Sequence, residues 1–470
     1  MRVLSNLAPK DVFAYFEDIC NIPHGSGNMD KISKYCIDFA EKHELEYYTD
    51  SLHNVVIRKP ATDGYELHDT VILQGHLDMV CEKLPDVNFD FEKDALQLKV
   101  DGDFICAEGT TLGGDDGIAV AMILSILADD SISHPKIEAV FTTDEETGMF
   151  GAEGLDVTAL SGKKLINIDS EQMGVITVGC AGGARADICV PLKRAANYKP
   201  CYEITIGGLI GGHSGVDINK GRLNANKLMG ELLSAVKIPF NIVFVAGGAK
   251  DNVITRECKC IIATDRYSAD FCDCIISKKP ESEPDLFIEV KAVDTSDTVF
   301  DSESTERIVA LINELPYGII KMSPDIDGLV QTSLNLGVLK CEDCSAFASF
   351  GVRSSVGAEK TQLLECLKAI CEKFNGEFNE YGHYPAWEYR KNSPLRDVME
   401  NVYSDMFGKK PQIEIIHAGL ECGLFASKIS DFDAVSIGPD LYDIHTARER
   451  LSVSSTKSLY EYILRSLERL

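Results

Sequence analysis

Short apolar runs alternate with segments of helical periodicity through the first part of the chain. Leu7, Val12, Phe13, Phe16 and Ile19 recur at helical spacing over 7–20, and Pro9 suits a first turn. A second amphipathic stretch, 29–43, sets Ile32, Tyr35, Cys36, Phe39 and Ala40 on one face. Between the two, Pro23, Gly25 and Gly27 mark a loop. Strands are predicted at 45–49, 53–58, 70–75, 137–143 and 164–168, with an apolar helix from Ile118 to Leu124. Residues 80–107 read as loop and short strands around Asp101-Gly102-Asp103. This alternation predicts an α/β class: a mixed, mainly parallel sheet with helices on both faces.

From about 186 the pattern changes. Residues 200–265 read strand, glycine-rich turn, helix (223–236), then strands at 240–246 and 258–264. Residues 285–374 read strand (286–290), helix (306–315), strands at 330–339 and 346–352, then helix (361–374). The echo suggests an α+β insertion built from two β-α-β-β halves. Lys278-Lys279-Pro280-Glu281-Ser282-Glu283-Pro284 reads as a turn or short linker between them. The first pattern resumes near Tyr381-Gly382-His383-Tyr384-Pro385. Helices at 394–408, 420–428 and 454–470 and strands at 411–416 and 434–437 follow. The expected organisation is a discontinuous domain of 1–185 and 383–470, interrupted by a lid or dimerisation-like domain of 186–382.

Composition narrows the class. A chain of 470 residues is too long for one ordinary core, and 45% apolar with 26% charged residues describes a soluble globular protein. A net charge of −28 opposes partnership with nucleic acid or an anionic membrane, since both need a cationic footprint. The 16 cysteines include Cys258/Cys260, Cys272/Cys274 and Cys341/Cys344. Only the last pair has C-x-x-C spacing, and no second such pair or nearby histidine pair completes four zinc ligands. Reduced thiols are expected, and with no signal segment or apolar run near ~20 residues the expected location is the cytoplasm.

The candidate chemistry lies at the ends of the predicted strands. His76 and Asp78 are two apart, so a strand ending there presents both on one side. Asp115 opens the apolar helix, Glu145 and Glu146 follow the strand at 137–143, Asp169 follows that at 164–168, and His445 lies near the C-terminus. Taken singly, each is most often a solvated turn. Together, Asp115, Glu146, Asp169, His76 and His445 offer the oxygen and nitrogen donors that two divalent ions take, without thiolate. Two such ions, three carboxylates and a bridging hydroxide come close to neutrality, and coordination brings the pKa of water toward about 7. Glu145 points away from Glu146 in extended chain and is a candidate general base. Asp78 could accept the free N–H of His76. Gly113-Gly114-Asp115-Asp116-Gly117 is no phosphate loop: Lys-Ser/Thr is missing and two aspartates would repel the anion.

Larger motifs sharpen the reading. Gln74-Gly75-His76-Leu77-Asp78-Met79-Val80, Thr111-Leu112-Gly113-Gly114-Asp115-Asp116-Gly117, Thr143-Asp144-Glu145-Glu146-Thr147-Gly148 and Asn167-Ile168-Asp169-Ser170 stand in a telling order. So do Gly211-Gly212-His213-Ser214-Gly215, Asn224-Ala225-Asn226-Lys227, His417-Ala418-Gly419-Leu420-Glu421-Cys422-Gly423 and Ile437-Gly438-Pro439 before Ile444-His445-Thr446. Over nearly its whole length the chain resembles the aminoacyl-histidine dipeptidases, also called peptidase D, beta-alanyl-histidine dipeptidase or cytosol non-specific dipeptidase. These belong to the co-catalytic dinuclear zinc aminoacylase/carboxypeptidase clan. It departs at Gly114 and Asp116, where the family more often carries Ala and Asn at non-ligand positions.

The resemblance implies a zinc metallopeptidase that hydrolyses dipeptides, Xaa-His among them, by a metal-bridging hydroxide with Glu145 as general base. His76 and Asp169 would bind one ion, Glu146 and His445 the other, and Asp115 would bridge them ahead of a cis Asp115–Asp116 peptide. Zn²⁺ is expected, with Co²⁺ or Mn²⁺ as substitutes. Asp78 would steady His76, and His213 would be a lid histidine for the oxyanion, supplied in some relatives by the neighbouring subunit. The substrate's carboxylate could meet Arg353 or backbone N–H groups near Gly419 and Gly423, with His417 and Glu421 as further candidate contacts. A homodimer and a single chain closing its own site both stay open. So do a tripeptidase, carboxypeptidase or aminoacylase on the same scaffold, and more remotely a non-catalytic binding protein.

Overall fold

In the computed structural model, which describes residues 2–266, 281–326 and 328–470, the apolar run before His76 forms the strand Val71–His76, with all six residues buried. It pairs in parallel with Ile137–Thr142 on one side and Lys164–Asn167 on the other, and Lys164–Asn167 pairs in parallel with Asp433–Ser436. The sheet runs Glu46–Thr49, Val55–Lys59, Ile137–Thr142, Val71–His76, Lys164–Asn167, Asp433–Ser436, Val175–Cys180, Gln412–Ile416. Antiparallel pairing is confined to the flanks, at Val55–Lys59 and beyond on one side and at Val175–Cys180 on the other. The result is a mixed sheet with a parallel centre.

Alternation along each strand divides the apolar residues between two faces. Val71, Leu73, Ala139, Phe141 and Ile166 join a large core with the helices Lys10–Cys20, Asp30–Lys42, Gly114–Ala128, Pro394–Phe407 and Val453–Leu467. The helix Gly114–Ala128 is apolar on every side because it is covered on every side; Phe16 and Ile19 lie over its Gly117. Lys59 closes its C-terminal end by donating to the carbonyls of Ile126 and Asp129 at 3.3 and 2.7 Å. Elsewhere Lys428, at the end of the helix Glu421–Lys428, caps the short helix Phe150–Gly154 through the carbonyls of Ala152 and Leu155.

These elements belong to one compact unit, Met1–Gly179 with Tyr389–Ile415 and Leu420–Leu470. The other unit comprises Cys180–Glu388 and Ile416–Gly419. It holds an antiparallel sheet in the order Phe287–Val293, Cys201–Gly207, Cys258–Ala263, Asn241–Gly247, Val330–Glu342, Ser345–Ser354, Gly182–Pro191, Glu377–Tyr384, with Gly318–Met322 on Val330–Glu342. The helices Ala225–Ala235, Ser302–Glu314 and Gly357–Lys373 share one core with it, through residues such as Met229, Ile308, Leu367 and Phe350. The two segments with β-α-β-β rhythm are merged in this one sheet. Phe287–Val293, from the second segment, pairs with Cys201–Gly207 of the first.

The stretch read as a linker is partly something else. Residues 278–280 lie outside the described residues, but Glu283 is fully buried and its carboxylate accepts the N–H groups of Ile210 (2.9 Å) and Leu223 (3.0 Å). It anchors both ends of the glycine-rich loop that contains His213. Cys258, Cys260 and Cys341 are buried free thiols and Cys344 is exposed, while Cys272 and Cys274 lie outside the described residues. Among the described residues no helix is long and apolar enough to cross a membrane.

Candidate metal centre

The parallel strands deliver their chemistry at their carboxyl ends, the usual ligand-binding edge of an open α/β sheet. His76 is the last residue of its strand; Glu145 and Glu146 follow Ile137–Thr142, Asp169 follows Lys164–Asn167, and His445 lies beyond Asp433–Ser436 in the turn between the short paired strands Leu441–Tyr442 and Arg450–Ser452. Asp115 and Asp116 open the helix Gly114–Ala128 with non-helical dihedrals, and the peptide bond between them is cis. Gly75 permits this approach. A Cβ there would lie 2.6 Å from Asp116 Oδ2 and 2.9 Å from Ala119 Cβ.

Asp115 sits between the two histidines. Its Oδ1 is 3.1 Å from His76 Nε2 and its Oδ2 is 3.2 Å from His445 Nε2. His76 Nε2 also lies 3.5 Å from Asp169 Oδ1, and His445 Nε2 lies 2.9 Å from Glu146 Oε1. Two carboxylate–imidazole sets therefore flank one shared aspartate. Asp115, Glu146 and His445 have donor atoms close enough to share one ion, as do His76, Glu145 and Glu146, and also His76, Asp116 and Asp169. His445 (φ 58°) and Asp144 (φ 52°) both adopt left-handed backbone, uncommon for residues other than glycine. Each costs roughly 1–2 kcal/mol and must be held by its surroundings.

Charge is crowded here. Burial works to raise the pKa of Asp115, but the bonds to His445 and His76 hold it well below the usual carboxylate range. Burial, with Asp115 and Glu146 adding to it, lifts Asp169 to about 6 against the pull of His76. Burial would keep His76 neutral, yet Asp115, Asp169 and Asp78 push it well above an ordinary histidine. Asp115 and Glu146, against the effect of burial, raise His445 to about 10. Glu145 is raised well above the usual range, by burial first and then by Asp169, Glu421 and Glu146.

Asp78 is buried beneath this cluster. The nearest acceptor to His76 Nδ1 is the Asp78 backbone carbonyl at 3.0 Å; the Asp78 carboxylate is 3.5 Å away. The carboxylate has a second set of partners, accepting from Ser26 Oγ (2.8 Å) and from the N–H groups of Glu145 (3.0 Å) and Glu146 (3.2 Å). It thus binds the strand carrying His76 to the turn carrying both glutamates. Glu421 is buried one layer down. Its Oε2 accepts from Gln74 Nε2 (2.5 Å) and Thr142 Oγ1 (2.7 Å), while Oε1 is buried with no partner among the described residues. Burial foremost lifts its pKa to about 7.

The remaining sequence-derived candidates belong to the other unit. His213 Nδ1 accepts the N–H groups of Gly215 (3.2 Å) and Val216 (3.3 Å), which leaves its proton on Nε2. Burial and then Arg353 lower its pKa, keeping it neutral. Arg353 Nη1 donates to Tyr384 Oη at 2.8 Å. His417 Nε2 lies 2.7 Å from Ser333 Oγ, and burial, Arg353 and His213 lower its pKa to about 4. Gly419 falls in this unit with Ile416 and His417, and Glu421 in the first.

Three residues here were given no supporting role in the sequence reading, which took Asp116 only as a non-ligand neighbour of Asp115. Ser26 holds Asp78, and Asp116 is buried with Oδ2 accepting the His76 N–H at 3.1 Å. Glu449 accepts four successive N–H groups, from Leu112 to Asp115 itself. Ser26 lies in a Gly-Ser-Gly loop and Glu449 four positions beyond His445; nothing local distinguishes either from a surface residue.

A mixed-sheet edge of this kind, with two carboxylate–imidazole sets sharing one aspartate, offers the donor set of a hydrolase that works with divalent cations. The chain belongs to peptidase family M20/M25/M40, whose model matches residues 72–469, and is a metallopeptidase. It is 35% identical to the cytosol non-specific dipeptidase of Escherichia coli (strain K12) over 467 residues, 97% of this chain and 96% of the relative. The crystal structure of aminoacylhistidine dipeptidase from Vibrio alginolyticus matches with a TM-score of 0.94 and 34% identity, covering 99% of this chain and 98% of that one. Aminopeptidase PepT from Bacillus cereus, at 15% identity and a TM-score of 0.57 over 98% of each chain, shares the fold.

Proposed function

We propose that this protein hydrolyses dipeptides, Xaa-His dipeptides among them, with two divalent metal ions, Zn²⁺ foremost. The observation that carries the reading is Asp115, which turns one carboxylate oxygen to each of two imidazoles that are backed by Asp169 and Glu146. The donors fit the group: oxygen and nitrogen only, with three carboxylates that have histidines as their sole ion-pair partners among the described residues. We assign His76 and Asp169 to one ion, Glu146 and His445 to the other, and Asp115 to both. When bound, such ions polarise a scissile carbonyl and lower the pKa of water.

The chain's own residues do the rest. Glu145, beside the ligand set, takes the proton of the attacking water and passes it to the leaving amine. Asp78 keeps Glu145 in place through its backbone N–H. His213, neutral and protonated on Nε2, is a donor for the developing oxyanion. Arg353, steadied by Tyr384, supplies the positive charge that the substrate's C-terminal carboxylate requires. The names of the Escherichia coli and Vibrio alginolyticus relatives support the dipeptide over longer substrates. The cytosol named for the former agrees with the cytoplasmic location expected from the sequence.

The test is a substrate panel on protein reloaded with Zn²⁺, Co²⁺ or Mn²⁺. Xaa-His and other dipeptides should turn over, while tripeptides and N-acetyl amino acids should not. No dipeptide turnover with any of the three metals would refute the proposal.

A further inference from the structure

We infer that Glu449 is a positioning residue that locks the loop carrying Asp115 to the loop carrying His445, and so sets how Asp115 spans the two cation positions. The inference rests on the proposed two-ion reading. Glu449 is 3% exposed, and both its oxygens are occupied. Oε2 accepts the N–H groups of Leu112 (2.8 Å) and Gly113 (3.2 Å), and Oε1 those of Gly114 (2.7 Å) and Asp115 (3.3 Å). Four consecutive N–H groups converge because Gly113 turns through the left-handed region (φ 66°) just as the helix Gly114–Ala128 begins. The first N–H groups of a helix lack intrahelical partners and carry the positive end of its dipole. Gly113, at the N-cap, has no side chain to meet them, and Glu449 does so from 334 residues away along the chain.

The other end of the clasp is equally fixed. Glu449 N–H donates to the Thr446 carbonyl at 3.1 Å, closing the turn that follows His445. The next residues, Arg450–Ser452, pair with Phe104–Ala107 and lead into the helix Val453–Leu467. One carboxylate therefore joins the backbones of two loops whose side chains meet at 3.2 Å, Asp115 Oδ2 on His445 Nε2. A helix cap alone would need only one or two of these contacts. Adding the Asp115 N–H itself fixes the rotation of the residue that must face both ways.

The experiment is Glu449→Gln, which preserves shape but turns an amide N–H₂ toward backbone donors. Metal-free wild type and variant are titrated with Co²⁺, and the spin coupling between the two ions is followed by EPR. Wild type should take two ions and show coupling through the shared aspartate; if it does not, the two-ion reading fails, and this inference with it. If wild type does so, the variant should show weakened coupling, about 10- to 100-fold weaker binding of the second ion, and a fall in kcat larger than any rise in KM. Coupling and stepwise affinities within threefold of wild type would overturn the inference, whatever the variant's stability. Should Glu449→Gln not fold, Glu449→Asp, which keeps the charge but cannot reach all four donors, is read the same way. If neither folds, Glu449 is a fold residue only and the inference is overturned.

Discussion

Replacing Asp78 by Asn separates what this residue does for the metal from what it does for the fold. The residue is 1% exposed and its side chain keeps its size, so no cavity forms. One acceptor oxygen becomes an N–H₂ group. On the Oδ1 side it would face the Glu145 N–H and His76 Nδ1; on the Oδ2 side it would face Ser26 Oγ and the Glu146 N–H. The second arrangement is cheaper, because a hydroxyl can rotate to accept. It leaves one buried N–H without a partner, at about 1–3 kcal/mol, and removes the charge that strengthened the other bonds. The partners behind a ligating histidine are typically worth 10–100-fold in metal affinity, about 1.4–2.8 kcal/mol.

The assay is urea denaturation of the metal-free protein beside Zn²⁺ competition against a chromophoric chelator. Burial opposes ionisation of Asp78, but His76, Ser26 and the Glu145 N–H outweigh it and lower its pKa. Its ionised form therefore stabilises the fold above the ordinary carboxylate pKa, and that stability is lost as pH falls through the depressed folded value. The gap between wild type and Asp78→Asn should narrow at acid pH. Zinc affinity within twofold of wild type, with a stability loss below about 0.5 kcal/mol, would show that Asp78 supports neither His76 nor the glutamate turn.

Further expectations follow from the same geometry. Glu145→Ala should keep its metal content while kcat falls by about 10²–10⁴, as loss of a general base requires; unchanged turnover would remove Glu145 from that role. Arg353→Ala should lower kcat/KM for free dipeptides by roughly 10–100-fold, the worth of a hydrogen bond to a charged group, and change little for dipeptide amides. In the ion-free protein His445, at about 10, and His76, well above its ordinary value, both carry protons at pH 7. Zinc must displace those protons, so affinity should rise with pH between 6 and 8 and calorimetry in buffers of different ionisation enthalpy should show proton release. A pH-independent affinity would contradict it.

Local pattern made much of this architecture legible. The run Val71–His76, buried throughout, could only be a central strand, and the helix Gly114–Ala128 announced by its apolar residues that it is covered on all sides. Strand ends are where glycine, histidine and acidic residues interrupt such runs, so the residues brought together at the sheet edge could be picked out before any fold was known. Segment order within the second sheet could not. Antiparallel strands pair by long-range register, and nothing in 285–293 itself distinguishes a partner in its own segment from Cys201–Gly207.

The supports of the site were hidden for the same reason. Glu449, Ser26, Glu283 and the second set of Asp78 bonds each join a side chain to backbone N–H groups or hydroxyls far away in the chain. Any exposed Glu or Ser has the same local signature, and only burial turns its hydrogen-bonding capacity into an obligation. Which segments are buried and which side chains can bind metal could be read from local order, because periodicity and donor chemistry are local. Which carboxylates face ligands and which hold the backbone behind them came from the folded chain alone, because that depends on the distant N–H groups each one meets.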